Sequence, residues 1–497
     1  MVQVPIRSLA QGGAGFGTSG VRGTVEALTD RVCFAYAAAF LDTIVERDAS
    51  GGDRVVAIGH DLRPSSPRMV AACVAACEAR RTRAVLCGAL PTPALAHHAI
   101  RRALPAIMVT GSHIPFDRNG IKFYRSTGEI SKEDETAISE ALVALDESAF
   151  RGGMLRAPSP LPDVDPAARE LYRARYLSFF RPGLLRGKRV GVYEHSSVAR
   201  DLCGEVLREL GAEVVSLGRT DTFVPIDTEA VSEADERQAR GWTSAHRLDA
   251  LVSTDGDADR PLVADETGRL FRGDTVGMLC AAFLGARTVV TPVSSNTAVE
   301  RWGVFRSVVR TRIGSPYVLA AMADAARSGD APVAGYEANG GFLLGSPVHR
   351  GNGDSERALS ALPTRDALLP ILSLLAMATE SGRSLSQLTA GLPARHTASD
   401  RLQDFAAGRS RALLDHLAAA PGALASFFAE LGEVSGVNQV DGLRVTLTGG
   451  DIVHLRPSGN APELRCYAEA GTPERALELS RWGLRSAAAK SRELGDA

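Results

Sequence analysis

With 497 residues the chain can bury several hydrophobic cores, and at about 150 residues per domain it predicts three or four domains rather than one. Lysine plus arginine number 56 against 58 aspartate plus glutamate, a net charge of −2. There is thus no basic field for nucleic acid and no acidic tail, and small-molecule chemistry is the expected class.

The stretch from Met1 to Arg7 lacks the basic residues and the apolar run of about 7–15 residues that mark an export signal, so a cytoplasmic location is expected. Arg54–Gly59 is a β-branched run, and Ser65-Ser66-Pro67 then precedes apolar residues at Met69, Val70, Cys73, Val74 and Cys77. That order predicts a strand, an N-cap, a proline at the first helical position and an amphipathic helix. Ala84–Cys87 reads as a strand, Pro93–Leu104 as a helix and Ala106–Val109 as a third strand, which implies parallel pairing. The Gly- and Pro-rich stretch 151–166 predicts a linker. A second unit follows: strand Lys188–Tyr193, helix Val198–Leu210 closed by Gly211, and strands Ala212–Leu217 and Leu248–Val252. A third repeats the plan, with helix Met278–Leu284, strands Thr288–Thr291 and Val308–Ile313, helix Tyr317–Arg327 and strand Pro332–Ala334. The apolar run Leu368–Met377 contains Pro370 and falls short of the roughly 18 residues of a membrane span. Finally, Leu443–Leu447 and Ile452–Leu455 flank Gly449-Gly450 as a hairpin, with Leu464–Ala468 and a helix from Pro473 onward. The seven cysteines form no CxxC pair and are read as reduced core residues. The fold class is α/β: three similar mixed or parallel-sheet domains and a smaller C-terminal α+β domain around a central cleft, with expected bounds 1–155, 165–270, 271–380 and 390–497.

In open α/β sheets ligands collect where strands release their carboxyl ends. Four such loops stand out. Thr110-Gly-Ser-His-Ile-Pro115 with Asn119-Gly-Ile-Lys122 sets a hydroxyl, an imidazole and an amine on one segment, a set that suits nucleophilic or phosphoryl-transfer chemistry. From spacing alone an ordinary turn with solvated side chains is favoured. Asp255-Gly-Asp-Ala-Asp-Arg260 carries three carboxylates at alternate positions, which favours Mg²⁺ or Ca²⁺. An EF-hand is disfavoured because Arg260 stands where its loop needs glycine, and because both flanks read as strands. Gly335-Tyr-Glu-Ala-Asn-Gly-Gly341 could grip sugar hydroxyls, although taken alone a tight turn with a capping Asn is favoured. Arg456-Pro-Ser-Gly-Asn-Ala-Pro462 with Arg465 places hydroxyl, amide and backbone donors between two guanidinium groups, which suits phosphate. Gly15-Phe-Gly-Thr-Ser-Gly20 matches GxGxxG but follows no strand of a βαβ unit, so the dinucleotide reading fails.

Together, Phe16-Gly-Thr-Ser-Gly-Val-Arg-Gly23 and these four loops occur in the order that resembles the α-D-phosphohexomutase family, over nearly the whole chain. The resemblance looks closest to the bacterial phosphomannomutases, and includes Phe223-Val-Pro-Ile-Asp-Thr-Glu-Ala230. It reverses the bland reading of the Ser112 loop. It implies a four-domain isomerase that interconverts mannose 1-phosphate and mannose 6-phosphate through a phosphoserine and a hexose 1,6-bisphosphate, which also serves as activator. Ser112 would carry the phosphoryl group, and Asp255, Asp257 and Asp259 with the Ser112 oxygen would hold Mg²⁺. Lys122 and His113 would be the candidate acid and base, and Arg22 would add positive charge. Arg260, Arg312, Glu337, Asn339, Arg456, Ser458, Gly459, Asn460 and Arg465 would bind the hexose phosphate. Two departures stand out: related sugar loops end in Ser-Gly-His where this one reads Asn339-Gly340-Gly341, and Ser315 stands where many relatives place histidine. Phosphoglucomutase or dual specificity is the alternative, and a non-catalytic sugar-phosphate sensor or a calcium-binding module the alternative of another class. No nucleic-acid or membrane partner is expected, and the chain is expected as a monomer or homodimer.

Overall fold

Short apolar runs separated by helices build the same sheet three times. The computed structural model describes residues 2–17, 20–46, 54–229, 231–351, 356–419, 421–458 and 463–495. In the first sheet Val55–His60 pairs in parallel with Arg83–Ala89 on one side and Ala106–Val109 on the other, and Arg118–Arg125 then returns antiparallel. In the second, Arg189–Tyr193 lies parallel between Glu213–Leu217 and Ala250–Thr254, and Pro261–Ala264 returns. In the third, Thr288–Pro292 lies parallel between Ser307–Thr311 and Val333–Tyr336, and Phe342–Leu344 returns, extended by Leu362–Asp366. The sheets are therefore mixed. In each, the turn from the third parallel strand into the returning strand is the loop singled out by its chemistry: 110–117, 255–260 and 337–341.

The fourth sheet differs. His396–Leu402, Leu464–Ala470, Ile452–Pro457, Leu443–Leu447 and Val434–Asn438 are antiparallel throughout, covered by Ala407–Ala419 and Pro473–Gly495. Its own loop, after Ile452–Pro457, carries the phosphate-type residues.

The first three units are welded together. One apolar cluster runs from Ala57, Leu95 and Met108 through Tyr176, Val190 and Val252 to Val289, Phe342 and Leu372. A second cluster fills the other face of the first sheet. The fourth sheet keeps a separate core, including Leu413, Leu455, Cys466 and Trp482. The fourth sheet and the residue that precedes it touch the third unit through polar groups: the Thr297 amide donates to Glu469 at 3.1 Å, and Asn296 donates to the Arg395 carbonyl at 2.9 Å.

Several helices lie outside the predicted elements. Asp30–Phe40 is buried on nearly every side, so its sequence lacks an amphipathic period. Ala167–Phe179 begins directly after the predicted linker. Leu368–Ser381 accepts Pro370 because it falls in the first turn, where a backbone N–H has no helical partner to lose. Helix Ser66–Ala79 forms as expected, but Ser65 does not cap it with its side chain. Its hydroxyl instead accepts from Asn119 at 2.8 Å. All seven cysteines are buried and unpaired. Among the described residues no helix is long and apolar enough to cross a membrane.

Candidate active site

The Ser112 loop is held in an unfavourable backbone shape. Ser112 has φ of 54°, in the left-handed region that costs a residue with a side chain about 1–2 kcal/mol. Its N–H donates to Thr110 Oγ1 at 2.8 Å, and Asp61 Oδ2 accepts from Thr110 Oγ1 at 2.8 Å and from the Gly111 N–H at 3.1 Å. Arg63, buried and paired with Asp61, donates to the carbonyl oxygens of Ser112 (2.9 Å), Pro115 (2.7 Å) and Arg118 (2.8 Å). Its guanidinium also lies 4.0 Å from the Phe223 ring. Asp61 and Arg63 follow the first parallel strand, where the positional rule places ligands, yet sequence reading passed over them.

This clamp aims the hydroxyl across the inter-unit boundary. Ser112 Oγ donates to Asp255 Oδ2 at 2.8 Å, and His113 Nδ1 lies 3.5 Å from Oγ. Asp255 Oδ1 accepts the amides of Asp259 (3.1 Å) and Arg260 (3.2 Å), which curls the loop so that oxygens of Asp255, Asp257 and Asp259 all lie within 4.8 Å of one another. Asp257 Oδ2 takes Thr92 Oγ1 at 2.7 Å and Lys122 Nζ at 2.9 Å; Asp259 Oδ2 takes Lys122 Nζ at 2.8 Å and Arg365 Nη2 at 2.8 Å. The other oxygen of each, Asp257 Oδ1 and Asp259 Oδ1, is buried without a hydrogen-bond partner.

The electrostatics follow from this crowding. Burial, then the charges of Asp257 and Asp259, push the Asp255 carboxyl well above the carboxylate range. Burial acts the same way on Asp257, but the Lys122 ammonium and the Thr92 hydroxyl outweigh it and hold that carboxyl low. Asp259 is also held low, its burial outweighed by Arg365, Lys122 and Arg260. Burial, against the pull of Asp257, brings the Arg22 guanidinium down to about 10, and Arg22 donates to the Thr110 carbonyl. Three converging carboxylates with two orphaned oxygens fit a hard divalent cation better than they fit one another.

Glu337 and Asn339 sit in the third loop. Glu337 Oε2 accepts Arg365 Nη1 at 3.0 Å, and Asn339 Oδ1 turns back to the Gly341 N–H at 2.9 Å. The Asn339 carbonyl takes the Thr228 hydroxyl at 2.8 Å. Thr92, Asp61, Arg63 and Arg365 are thus polar members of the site that sequence reading did not single out. Ser315 opens helix Ser315–Arg327 and donates to Glu129 at 3.4 Å.

The phosphate-type residues form a second group. Arg312 Nε donates to the Val440 carbonyl at 3.0 Å, and Arg456 pairs with Asp441 at 2.9 Å. Arg456 and Arg465 face each other across two strands, and Ser458 is buried beside them. Between the two groups stands Glu229, whose carboxyl is raised by burial and by Asp227 despite Arg260, Arg465 and Arg272. Gly459 and Asn460, like Thr18 and Ser19 of the first motif, lie outside the described residues.

Comparison with known proteins gives a consistent result. Family models described as phosphoglucomutase/phosphomannomutase match residues 13–149 (alpha/beta/alpha domain I), 272–396 (alpha/beta/alpha domain III) and 410–481 (C-terminal domain). A phosphomannomutase of Salmonella muenchen is 47% identical over 468 residues, 94% of each chain. A phosphomannomutase of Sinorhizobium fredii is 44% identical over 95% of this chain and 98% of its own. A crystal structure of a phosphoglucomutase/phosphomannomutase family protein from Burkholderia thailandensis shares the fold, with a TM-score of 0.70, 22% identity, and coverage of 95% and 97% of the two chains.

Proposed function

The chain belongs to the phosphoglucomutase/phosphomannomutase family, and on that premise we propose that it is an isomerase interconverting mannose 1-phosphate and mannose 6-phosphate through Ser112 and a mannose 1,6-bisphosphate. The observation that carries this reading is the Ser112 hydroxyl 2.8 Å from Asp255, one corner of a triangle of carboxylates. The three repeated units and the fourth sheet are assigned as domains I to IV, 1–155, 165–270, 271–380 and 390–497.

Asp255, Asp257 and Asp259, with the Ser112 oxygen, would hold Mg²⁺, which when bound offsets charge on transferring phosphoryl oxygens. The chain's own groups do the rest. Arg456, Ser458, Gly459, Asn460, Arg465 and Arg312 hold the phosphate that is not reacting, and Glu337 and Asn339 orient the sugar hydroxyls. A free sugar hydroxyl attacks the phosphoryl group on Ser112. The phosphorus–Oγ bond breaks, and the proton of the attacking hydroxyl passes to His113, or to Lys122 in its neutral amine form, and on to Oγ. The bisphosphate then turns over, and Oγ takes the other phosphoryl group back. Arg22 and Arg260 supply positive charge throughout, and a hexose 1,6-bisphosphate restores Ser112 to its phosphorylated form. Ser112 is 2% exposed, so substrate entry requires the structure around it to open, and the fourth domain, with its separate core, is the mobile part in this reading.

A coupled assay with Mg²⁺ and bisphosphate tests the reading. Expected is a kcat/KM for mannose 1-phosphate above those for glucose 1-phosphate and glucosamine 1-phosphate, with turnover abolished and sugar-phosphate binding retained in Ser112→Ala. Turnover by Ser112→Ala, or no conversion of mannose 1-phosphate by the unaltered chain, contradicts it.

A further inference from the structure

Arg365 occupies the seam between two loops that belong to different sheets. All three nitrogens of its planar fork are engaged: Nε and Nη2 donate to Asp259 Oδ2 at 3.1 and 2.8 Å, and Nη1 donates to Glu337 Oε2 at 3.0 Å. All three side chains are buried, with Asp259 1%, Glu337 4% and Arg365 6% exposed. At that depth each carboxylate needs a cation, and a single guanidinium serves both.

The approach of Arg365 is fixed from both ends. It stands at the end of strand Leu362–Asp366, and the next residue, Asp366, accepts from the hydroxyls of Tyr172 (2.7 Å) and Tyr176 and from the Leu368 N–H at 2.9 Å. The helix Ala167–Phe179 of the second unit thereby pins the strand end of the third. On the other side its aliphatic stem fills the space over Gly341. A Cβ added there would lie 2.6 Å from Arg365 Cδ and 2.9 Å from Cγ. The sugar loop is bare at that position, and the arginine enters through the gap.

We propose that Arg365 is a positioning residue that sets Asp259 and Glu337 in one shared geometry, so that the state of the sugar loop alters the affinity of the aspartate loop for its cation. The inference rests on the roles of the two loops given under Proposed function. Two consequences follow from the fork. Neutralising Glu337 leaves the full charge of the guanidinium on Asp259, which weakens the cation's hold. A lysine in place of the arginine presents one ammonium, which meets one carboxylate and severs the link.

The test is a titration of the purified chain with Mn²⁺ alone, read by electron paramagnetic resonance, beside KM for mannose 1-phosphate and the unfolding midpoint of each variant. Glu337→Gln is expected to raise the Mn²⁺ dissociation constant about fivefold in the otherwise unaltered chain, the low end of ordinary coupling between sites. In the Arg365→Lys background the same substitution leaves that constant unchanged, and Gly341→Ala, which displaces the stem, gives the same uncoupling without removing a charge. A Mn²⁺ constant indifferent to Glu337→Gln, or equally shifted in both backgrounds, overturns the inference. The first arm needs no change at Arg365, so a poorly folding Arg365 variant does not blunt it. An unaltered chain that binds Mn²⁺ but converts no hexose phosphate contradicts the proposed function and not this link.

Discussion

Ser112 sits at φ 54° because the contacts around it are collectively stronger than the local strain. Arg63 supplies most of them, turning several carbonyl oxygens of one loop toward a single cation, while Asp61 fixes the loop's first N–H and hydroxyl. Arg63→Met removes those donors without adding volume. We expect kcat to fall about 100-fold, the scale of a misplacement near 1 Å, with the fold retained by circular dichroism; an unchanged kcat would show that the loop holds itself. The residues legible in the sequence were those whose chemistry clusters along the chain, such as Ser112 with Lys122 and the three aspartates. Arg63, Thr92 and Arg365 were not, because their partners lie 49, 165 and 106 positions away and a single arginine or threonine carries no local signal.

The recurring element is three parallel strands and one that returns, with chemistry in the turn between them. Most of those strands were legible as β-branched runs, including Ala106–Val109 and Pro261–Ala264, within a residue or two. The returning strand Phe342–Leu344 and the fully buried helices were harder, since a segment covered on all sides shows no period of 2 or 3.6. The fourth sheet's separate core sets it apart from the other three units. Leu455 lies fully buried in that core. Leu455→Ala should lower the stability of the fourth domain by about 2–5 kcal/mol, the usual cost of an emptied core site. Scanning calorimetry should then show one of two transitions moving to lower temperature; a single transition that moves as a whole would mean that the fourth sheet unfolds with the rest.

For the whole molecule, the shared core of the first three units holds the Ser112, aspartate and third loops as one body, and the polar seam at Thr297, Asn296 and Arg395 joins the fourth sheet to it. This division matches the proposed chemistry, in which the sugar turns over while Ser112 and its carboxylates stay in place. The architecture was legible because five loops recur in one order along the chain. The joint between units was not, since which faces merge into one core depends on packing that no single segment encodes. Phosphoryl transfer to and from Ser112 is the central proposed step. The most direct measurement is peptide mass spectrometry of the chain after incubation with Mg²⁺ and a hexose 1,6-bisphosphate, and again after an excess of dephosphorylated sugar. One phosphoryl group is expected, on Ser112, present after the first step and discharged after the second. A chain that turns over substrate while Ser112 stays unmodified, or that carries the group on another residue, would contradict it.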